Sequence, residues 1–156
     1  MDQDADKKRW RRTAWSRLRF ELSGLGFALK QGATPEDYAD YLWSDGAVKW
    51  IGKENPTIQE YLDKETEAIT TLYPQVTFTI GRITDKDAEL TFPAGSCLGG
   101  WGRDQWGVAG SLGLDKKDVC RYCRQSFRVW TKQLGLNALP ELQANGDCIF
   151  RVEITG

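Results

Sequence analysis

Four cysteines are the residues of this 156-residue chain whose type and spacing best suit chemistry. They follow the pattern Cys-x22-Cys-x2-Cys-x24-Cys, at Cys97, Cys120, Cys123 and Cys148. Three fall in a glycine-rich stretch, and the fourth lies in a strand-like tail that can fold back beside it. A thiolate is both a nucleophile and a soft metal ligand. The pattern therefore suggests either covalent catalysis or metal binding.

A zinc ion or an iron–sulfur cluster needs four thiolates that converge on one point. Only one Cys-x2-Cys pair is present, at Cys120 and Cys123, and its spacing places it within a helix. Structural zinc sites usually have two such pairs on turns. Cysteine is also a small apolar residue that is frequently buried. Both alternatives stay open: a metal site formed by Cys97, Cys120, Cys123 and Cys148, or buried thiols.

Cys97 is the best candidate for a catalytic thiol, because it lies in a loop outside any periodic apolar pattern. Such a cysteine needs nearby cations or a helix N-terminus to lower its pKa from about 8.5. Arg103 is expected to bind a substrate carboxylate through two hydrogen bonds. Asp104 or Glu153 would transfer the proton. The loop from Gly99 to Gly107 would close over the substrate.

Three further residues are candidates for contacting the substrate: Trp101, Trp106 and Cys148. An indole offers a flat apolar surface to a core, a ligand or a partner. Together with Trp130, the two tryptophans could instead line an apolar ligand pocket or a subunit interface in a domain without catalysis.

Composition excludes several classes of protein. The chain has no histidine, which excludes Ser-His-Asp and Cys-His catalysis and every metal site that needs an imidazole. The formal net charge is -1, from 21 basic and 22 acidic residues, so no nucleic-acid partner is expected. No apolar run of about 18 residues and no secretory signal is present. We therefore expect no membrane partner and a cytoplasmic location.

The first part of the chain has helical apolar spacing. A first helix is predicted by apolar residues at intervals of three and four: Trp15, Leu18, Leu22, Leu25 and Leu29. Its tryptophan-bearing apolar face makes a homodimer, or a place in a larger complex, one expected partnership.

Two more helices follow in the sequence. The second begins at Thr34, with a proline at its first position, and three residues are expected to be buried: Tyr38, Tyr41 and Leu42. The third begins at Asn55 or Thr57 and ends before Pro74. Its positions at helical spacing are Ile58, Tyr61, Leu62, Glu65, Ile69 and Leu72.

From Val76 the apolar period changes from 3.6 to 2, which predicts a β-hairpin through Phe92. A helix starting near Asp115 follows, and Asn145-Gly146 then predicts a second hairpin. On its last strand, Cys148 is expected to point toward the core.

The predicted fold is α+β, with helices packed on a small antiparallel sheet and a helical N-terminal half. The whole chain, 1–156, is expected to form a single domain, because its length suits one core.

The C-terminal third also carries a family resemblance. Its motifs are the loop Cys97, the helical Cys-Arg-Tyr-Cys at 120–123, a Leu-Gly helix end, and the strand Gly-Asp-Cys-Ile-Phe-Arg at 146–151. In this order they resemble the L-2-amino-thiazoline-4-carboxylic acid hydrolase-like family. The closing strand is also similar to vinyl-reductase-like ligand-binding domains.

The resemblance implies an α+β fold and, for the namesake activity, hydrolytic opening of a small sulfur-containing heterocycle at a cyclic C–N bond. The positions that match are Cys97, Cys120, Cys123 and Cys148, with Gly146 and Asp147 forming the turn before the strand.

Two functions are carried forward from the sequence. The first is a small-molecule-binding protein that acts as a hydrolase through Cys97, without a cofactor. The alternative is a non-catalytic module that holds zinc or an iron–sulfur cluster through its four cysteines.

Overall fold

Helices pack on one face of a four-stranded antiparallel sheet, which confirms the predicted α+β class. The structure is a computed structural model that describes residues 2–74, 76–97 and 103–156. For 103–106 the description covers the backbone only. Within these ranges, no helix is long and apolar enough to cross a membrane.

Six helices and four strands form in the part of the chain that the structure describes. The helices are α1 Gln3–Lys30, α2 Pro35–Trp43, α3 Ala47–Ile51, α4 Ile58–Leu72, α5 Arg103–Ser111 and α6 Lys116–Lys132. The strands are β1 Thr79–Ile83, β2 Asp87–Phe92, β3 Leu136–Leu142 and β4 Cys148–Ile154. Their order in the sheet is β1-β2-β4-β3, so the two hairpins join where β2 pairs with β4.

Side-chain caps define where three of the helices begin. Thr34 forms a reciprocal capping box with Asp37, and Thr57 forms one with Glu60. The Asp115 side chain accepts a hydrogen bond from the first turn of α6. Each cap contributes about 1 kcal/mol by satisfying backbone N–H groups that have no partner inside the helix. The predicted helix starts are confirmed, with Thr57 as the cap of α4.

The second hairpin forms as predicted. Gly146 occupies the turn with φ of +91°, a conformation that glycine adopts without strain. Cys148 begins β4 and pairs with Phe92 of β2 on one side and Leu142 of β3 on the other. Its side chain packs against the same apolar cluster as Phe150, which confirms that Cys148 points toward the core.

Burial on α2 differs from the prediction. Tyr41 is 86% exposed and Leu42 is 40% exposed. The face that α2 buries instead follows a spacing of four residues, with Pro35 and Ala39 buried and Trp43 partly buried. Because a nine-residue helix can turn only one narrow face to its neighbours, Tyr41 and Leu42 are left in solvent.

Two further details depart from the predicted pattern. The first strand begins at Thr79, and Val76 precedes it as a core-packing residue outside the strand. The segment 103–111 forms helix α5, whereas a loop from Gly99 to Gly107 was expected. The sequence pattern does not indicate this helix, because it contains glycines at 107 and 110. Each glycine lowers helix propensity by about 1 kcal/mol.

The core divides into two apolar clusters, and α6 contributes to both. The sheet cluster includes Ile58, Tyr61, Leu62, Ile69, Leu90, Phe92, Leu134, Phe150 and Val152. The helix cluster consists of Leu18, Leu22, Leu25, Ala39, Ala109, Leu114, Val119 and Tyr122. Phe127 and Trp130 of α6 pack against the sheet cluster, while Val119 and Tyr122 belong to the helix cluster. Helix α6 therefore lies between the sheet and the helices α1, α2 and α5, whereas α4 packs on the sheet beside it.

Large apolar side chains also remain on the surface of α1. Phe20 and Phe27, seven residues apart, are both exposed, and Trp15 lies at the solvent edge of the buried stripe. The homodimer prediction concerns another face of α1, which carries Trp15 and the leucines, and the core buries Leu18, Leu22 and Leu25 of that face. The partnership stays a prediction.

Gly24 permits a close approach of α1 and α2, and this gives a test of the packing. A Cβ at Gly24 would stand 2.3 Å from the Tyr38 hydroxyl oxygen, which donates a hydrogen bond to the Glu21 carbonyl at 2.9 Å. A Cβ at Gly110 would meet nothing within 4 Å. Both substitutions replace a helical glycine by alanine, and of the two only the Cβ at Gly24 would meet another side chain. We expect Gly24→Ala to be less stable than Gly110→Ala by about 1–3 kcal/mol.

Urea denaturation of the two variants measures this difference in the free energy of unfolding. Equal stabilities would mean that the Tyr38 ring moves aside without cost, contrary to the expectation.

Candidate functional site

A cavity of about 420 Å³ lies where the sheet cluster and the helix cluster meet. Its walls come from α1, α4 and α6, with the tryptophans of α2 and α3 at one side. Cavities of about 300–1,000 Å³ with mostly apolar walls and a few polar groups are typical of small-molecule sites. This cavity is therefore the candidate functional site.

Three indole rings form the aromatic part of the wall. The Trp130 ring meets the rings of Trp43 and Trp50 in edge-to-face contacts, each with 5.6 Å between ring centroids. This geometry is preferred by aromatic quadrupoles. Mutual contacts of this kind hold the rings in place, so the wall exists before any ligand binds.

The polar groups on the α1 side are joined in one hydrogen-bonded chain. Trp43 Nε1 donates to the Tyr122 hydroxyl at 3.0 Å, and that hydroxyl donates to the Glu21 carboxylate. Arg17 Nη1 donates to Glu21 Oε2 at 3.1 Å, and its guanidinium lies 5.8 Å from the centre of the Tyr73 ring. Burial, followed by the charge of Glu21, raises the pKa of Tyr122. Tyr122 therefore stays a neutral donor.

Glu65 on α4 also lines the cavity, but in a different state. Only 8% of the residue is exposed, and burial raises the pKa of its carboxyl from 4.5 to about 7. The nearby Tyr61 hydroxyl acts in the opposite direction. Within the described ranges, Glu65 Oε2 and Tyr61 Oη are both buried without a hydrogen-bond partner of acceptable geometry. Glu65 is thus a buried acid whose charge is not balanced by any described side chain.

The cysteines lie close to one another beside this cavity, and Cys123 is part of its wall. Burial raises the pKa of Cys123 well above its ordinary value, and the thiols of Cys97, Cys148 and Cys120 raise it further. Burial likewise raises the pKa of Cys120, and that of Cys148 to about 11. These three residues are therefore neutral thiols at neutral pH, which makes them poor nucleophiles.

The four cysteines lie close together, but as described they do not form a metal site. Among the described residues, which include all four cysteines, no group of three or more His, Cys, Asp or Glu side chains could hold a metal ion. Nor do the described cysteines form a disulfide. The zinc or iron–sulfur alternative thus finds no ligand set in this part of the chain.

The structure separates Glu153 from the predicted catalytic thiol. Cys97 packs against the helix cluster, whereas Glu153 is exposed on β4 and accepts a hydrogen bond from Asn137 at 3.3 Å. Since side chains alternate along a strand, Glu153 faces away from the helices that Phe150 and Val152 contact. Glu153 and Cys97 therefore do not share a site.

The side chains of four other predicted residues fall outside what the structure describes. Trp101 lies outside the described residues, and so do the side chains of Arg103, Asp104 and Trp106. Cys148 was also predicted to contact the substrate, but it packs against the sheet cluster near Cys123 and is absent from the cavity wall.

Glu65 is not among the predicted site residues, although its position in the sequence indicated that it could be unusual. Glu65 stands four residues after Tyr61 and four before Ile69, on the buried stripe of α4. A carboxylate in an otherwise apolar helical stripe is rarely buried unless it is paired. That position is the feature that could have marked it.

The shifted pKa of Glu65 predicts how stability depends on pH. The folded state keeps the proton up to about pH 7, whereas the unfolded chain releases it near 4.5. Stability is therefore lost as the pH rises through this interval, by about 1.4 kcal/mol per unit and about 3 kcal/mol in all. Glu65→Gln cannot titrate, so its stability relative to the unsubstituted protein should increase by about that amount between pH 4 and pH 8.

Urea denaturation at a series of pH values measures this difference. Glu67→Gln is the matched control, because Glu67 is exposed on the same helix and its substitution should leave the pH dependence unchanged. A constant difference between Glu65→Gln and the unsubstituted protein across the range would contradict the assignment.

Comparison with known proteins adds no relative. No protein-family model, no curated protein and no solved structure matches the chain. The resemblance of its C-terminal third to the L-2-amino-thiazoline-4-carboxylic acid hydrolase-like family therefore stays a prediction, and the cavity is the basis for any statement about function.

Proposed function

We propose that this protein binds a small organic molecule in the cavity between α1, α4 and α6. The observation that carries the proposal is a preformed aromatic cavity of about 420 Å³ with the unpaired carboxyl of Glu65 in its wall. Apolar walls supply most of the binding free energy by removing ligand surface from water. The few polar groups then select the ligand and fix its orientation.

The packing around the cavity supports binding over a purely structural role. A core position usually carries a side chain that fills its space, since interiors are packed as densely as organic crystals. Here α4 presents Ala68 and α6 presents Ser126, two small side chains, to the same space. Bulky Trp43 and Trp130 contact each other across its edge, which leaves the centre open.

Hydrolysis of the bound molecule is a more specific version of the same proposal. Cys97 is one of the thiols that raise the pKa of Cys123, and Cys123 lines the cavity. A nucleophile at Cys97 would therefore stand on the side of the molecule where the ligand binds. The carboxyl of Glu65, with a pKa of about 7, suits proton transfer at neutral pH. A hydrolase would use the first to attack and the second to transfer the proton.

Binding is tested by filling the cavity. Ala68→Trp places an indole in the space that Ala68 lines on α4, and it should abolish the binding of small aromatic probes such as benzamide. Thr70→Trp is the control, since Thr70 is exposed on the same helix. The measurement is the shift of the Nε1–H resonances of Trp43, Trp50 and Trp130 in NMR titrations.

The smaller substitution Ala68→Leu should weaken binding in proportion to the volume it fills, and it guards against a variant that does not fold. If probes bind Ala68→Trp as well as the unsubstituted protein, the cavity is not the binding site.

The hydrolase form has its own test. Incubation with 2-amino-thiazoline-4-carboxylate should give ring opening that Cys97→Ser abolishes. Cys120→Ser should retain it, because burial raises the pKa of the Cys120 thiol and leaves it a poor nucleophile. Mass spectrometry of the product measures the reaction. Turnover that persists in Cys97→Ser would remove the nucleophile from the proposal and leave the binding function standing.

A further inference from the structure

The charges that line the cavity do not balance. Of the described residues that line it, Arg17, Glu21 and Glu65 are charged. Arg17 and Glu21 form an ion pair at 3.1 Å, and Glu21 also accepts a hydrogen bond from Tyr122. Those two charges cancel within the chain. Glu65 is left, so the described part of the wall carries one net negative charge whenever Glu65 is ionised.

Among the residues whose side chains the structure describes, no cation stabilises the Glu65 carboxylate. Burial and the Tyr61 hydroxyl are the influences on its pKa, and Arg17 is not among them. The other titratable groups that line the cavity from neighbouring elements are Tyr73, Tyr122 and Cys123, all of which burial keeps neutral. A buried charge without a partner is costly, and a hydrogen-bonded counter-charge removes that cost.

The aromatic wall favours the same kind of ligand. The indoles of Trp43, Trp50 and Trp130 surround one side of the cavity, and the face of an indole attracts cations more strongly than that of any other side chain. A ligand whose only charge is negative meets the opposite conditions. It would have to displace Glu21 from Arg17, and it would be repelled by Glu65.

We infer that the ligand of this cavity is an organic cation, an amidinium or a primary ammonium group attached to an aromatic or aliphatic body, which pairs with Glu65. The inference rests on the proposed binding function and adds the chemical class of the ligand. The cationic group donates hydrogen bonds to the Glu65 carboxylate, and the apolar body fills the space between α1 and α6.

Three probes of nearly identical shape test the charge: benzamidinium, benzamide and benzoate. At about pH 8, where Glu65 is mostly ionised, benzamidinium should bind about 10–100-fold more tightly than benzamide, as expected for hydrogen bonds to a charged group. Benzoate should bind more weakly than either. The dissociation constants come from NMR titrations of the Trp43, Trp50 and Trp130 Nε1–H resonances.

Glu65→Gln should remove the preference for benzamidinium while it leaves benzamide binding in place. The matched control Glu67→Gln should keep the preference. Benzamide or benzoate binding as tightly as benzamidinium, or a preference that survives in Glu65→Gln, overturns the inference and leaves the binding function intact. If none of the three probes shifts any indole resonance, the binding function fails, and the inference fails with it.

Discussion

The hydrogen bond from the Tyr122 hydroxyl to the Glu21 carboxylate determines how the helices of this protein meet. It joins α6 to α1 at a buried point, and Trp43 extends the connection to the end of α2 by donating to the same hydroxyl at 3.0 Å. A buried carboxylate requires such donors. Arg17 then balances the charge of Glu21 from the preceding turn of α1. With these three helices tied together, the walls that α1, α6 and Trp43 of α2 contribute to the cavity are held in place.

Helix α6 explains why the two apolar clusters do not merge into one core. Its Phe127 and Trp130 pack toward the sheet, and its Val119 packs toward α1 and α5. The helix cannot fill both sides at its centre, because the residues there are the small Cys123 and Ser126. The large indoles of Trp43, Trp50 and Trp130 line one side of this gap and do not fill it. The open volume is therefore a consequence of side-chain size along α6 and α4.

Much of the fold follows from local sequence signals. The capping residues Thr34, Thr57 and Asp115 mark helix starts because each satisfies backbone donors within its own first turn. The prediction that Tyr41 is buried was wrong. The buried face of a short helix depends on the neighbour it packs against, and no local sequence pattern identifies that neighbour. The site was harder to predict for the same reason. Whether Glu65 is paired depends on α1 and α6, which lie far from it in sequence.

The low polarity that forms the cavity also decides which groups can act there. Burial raises the pKa of the Cys123 thiol and of the Glu65 carboxyl alike, but the consequences differ. A thiol with a raised pKa stays protonated and inert at neutral pH. A carboxyl whose pKa rises to about 7 instead reaches the range in which it exchanges its proton readily. The environment that keeps the Cys123 thiol protonated therefore brings the Glu65 carboxyl into the range of proton exchange, and a ligand that carries a counter-charge would hold that carboxyl in its ionised form.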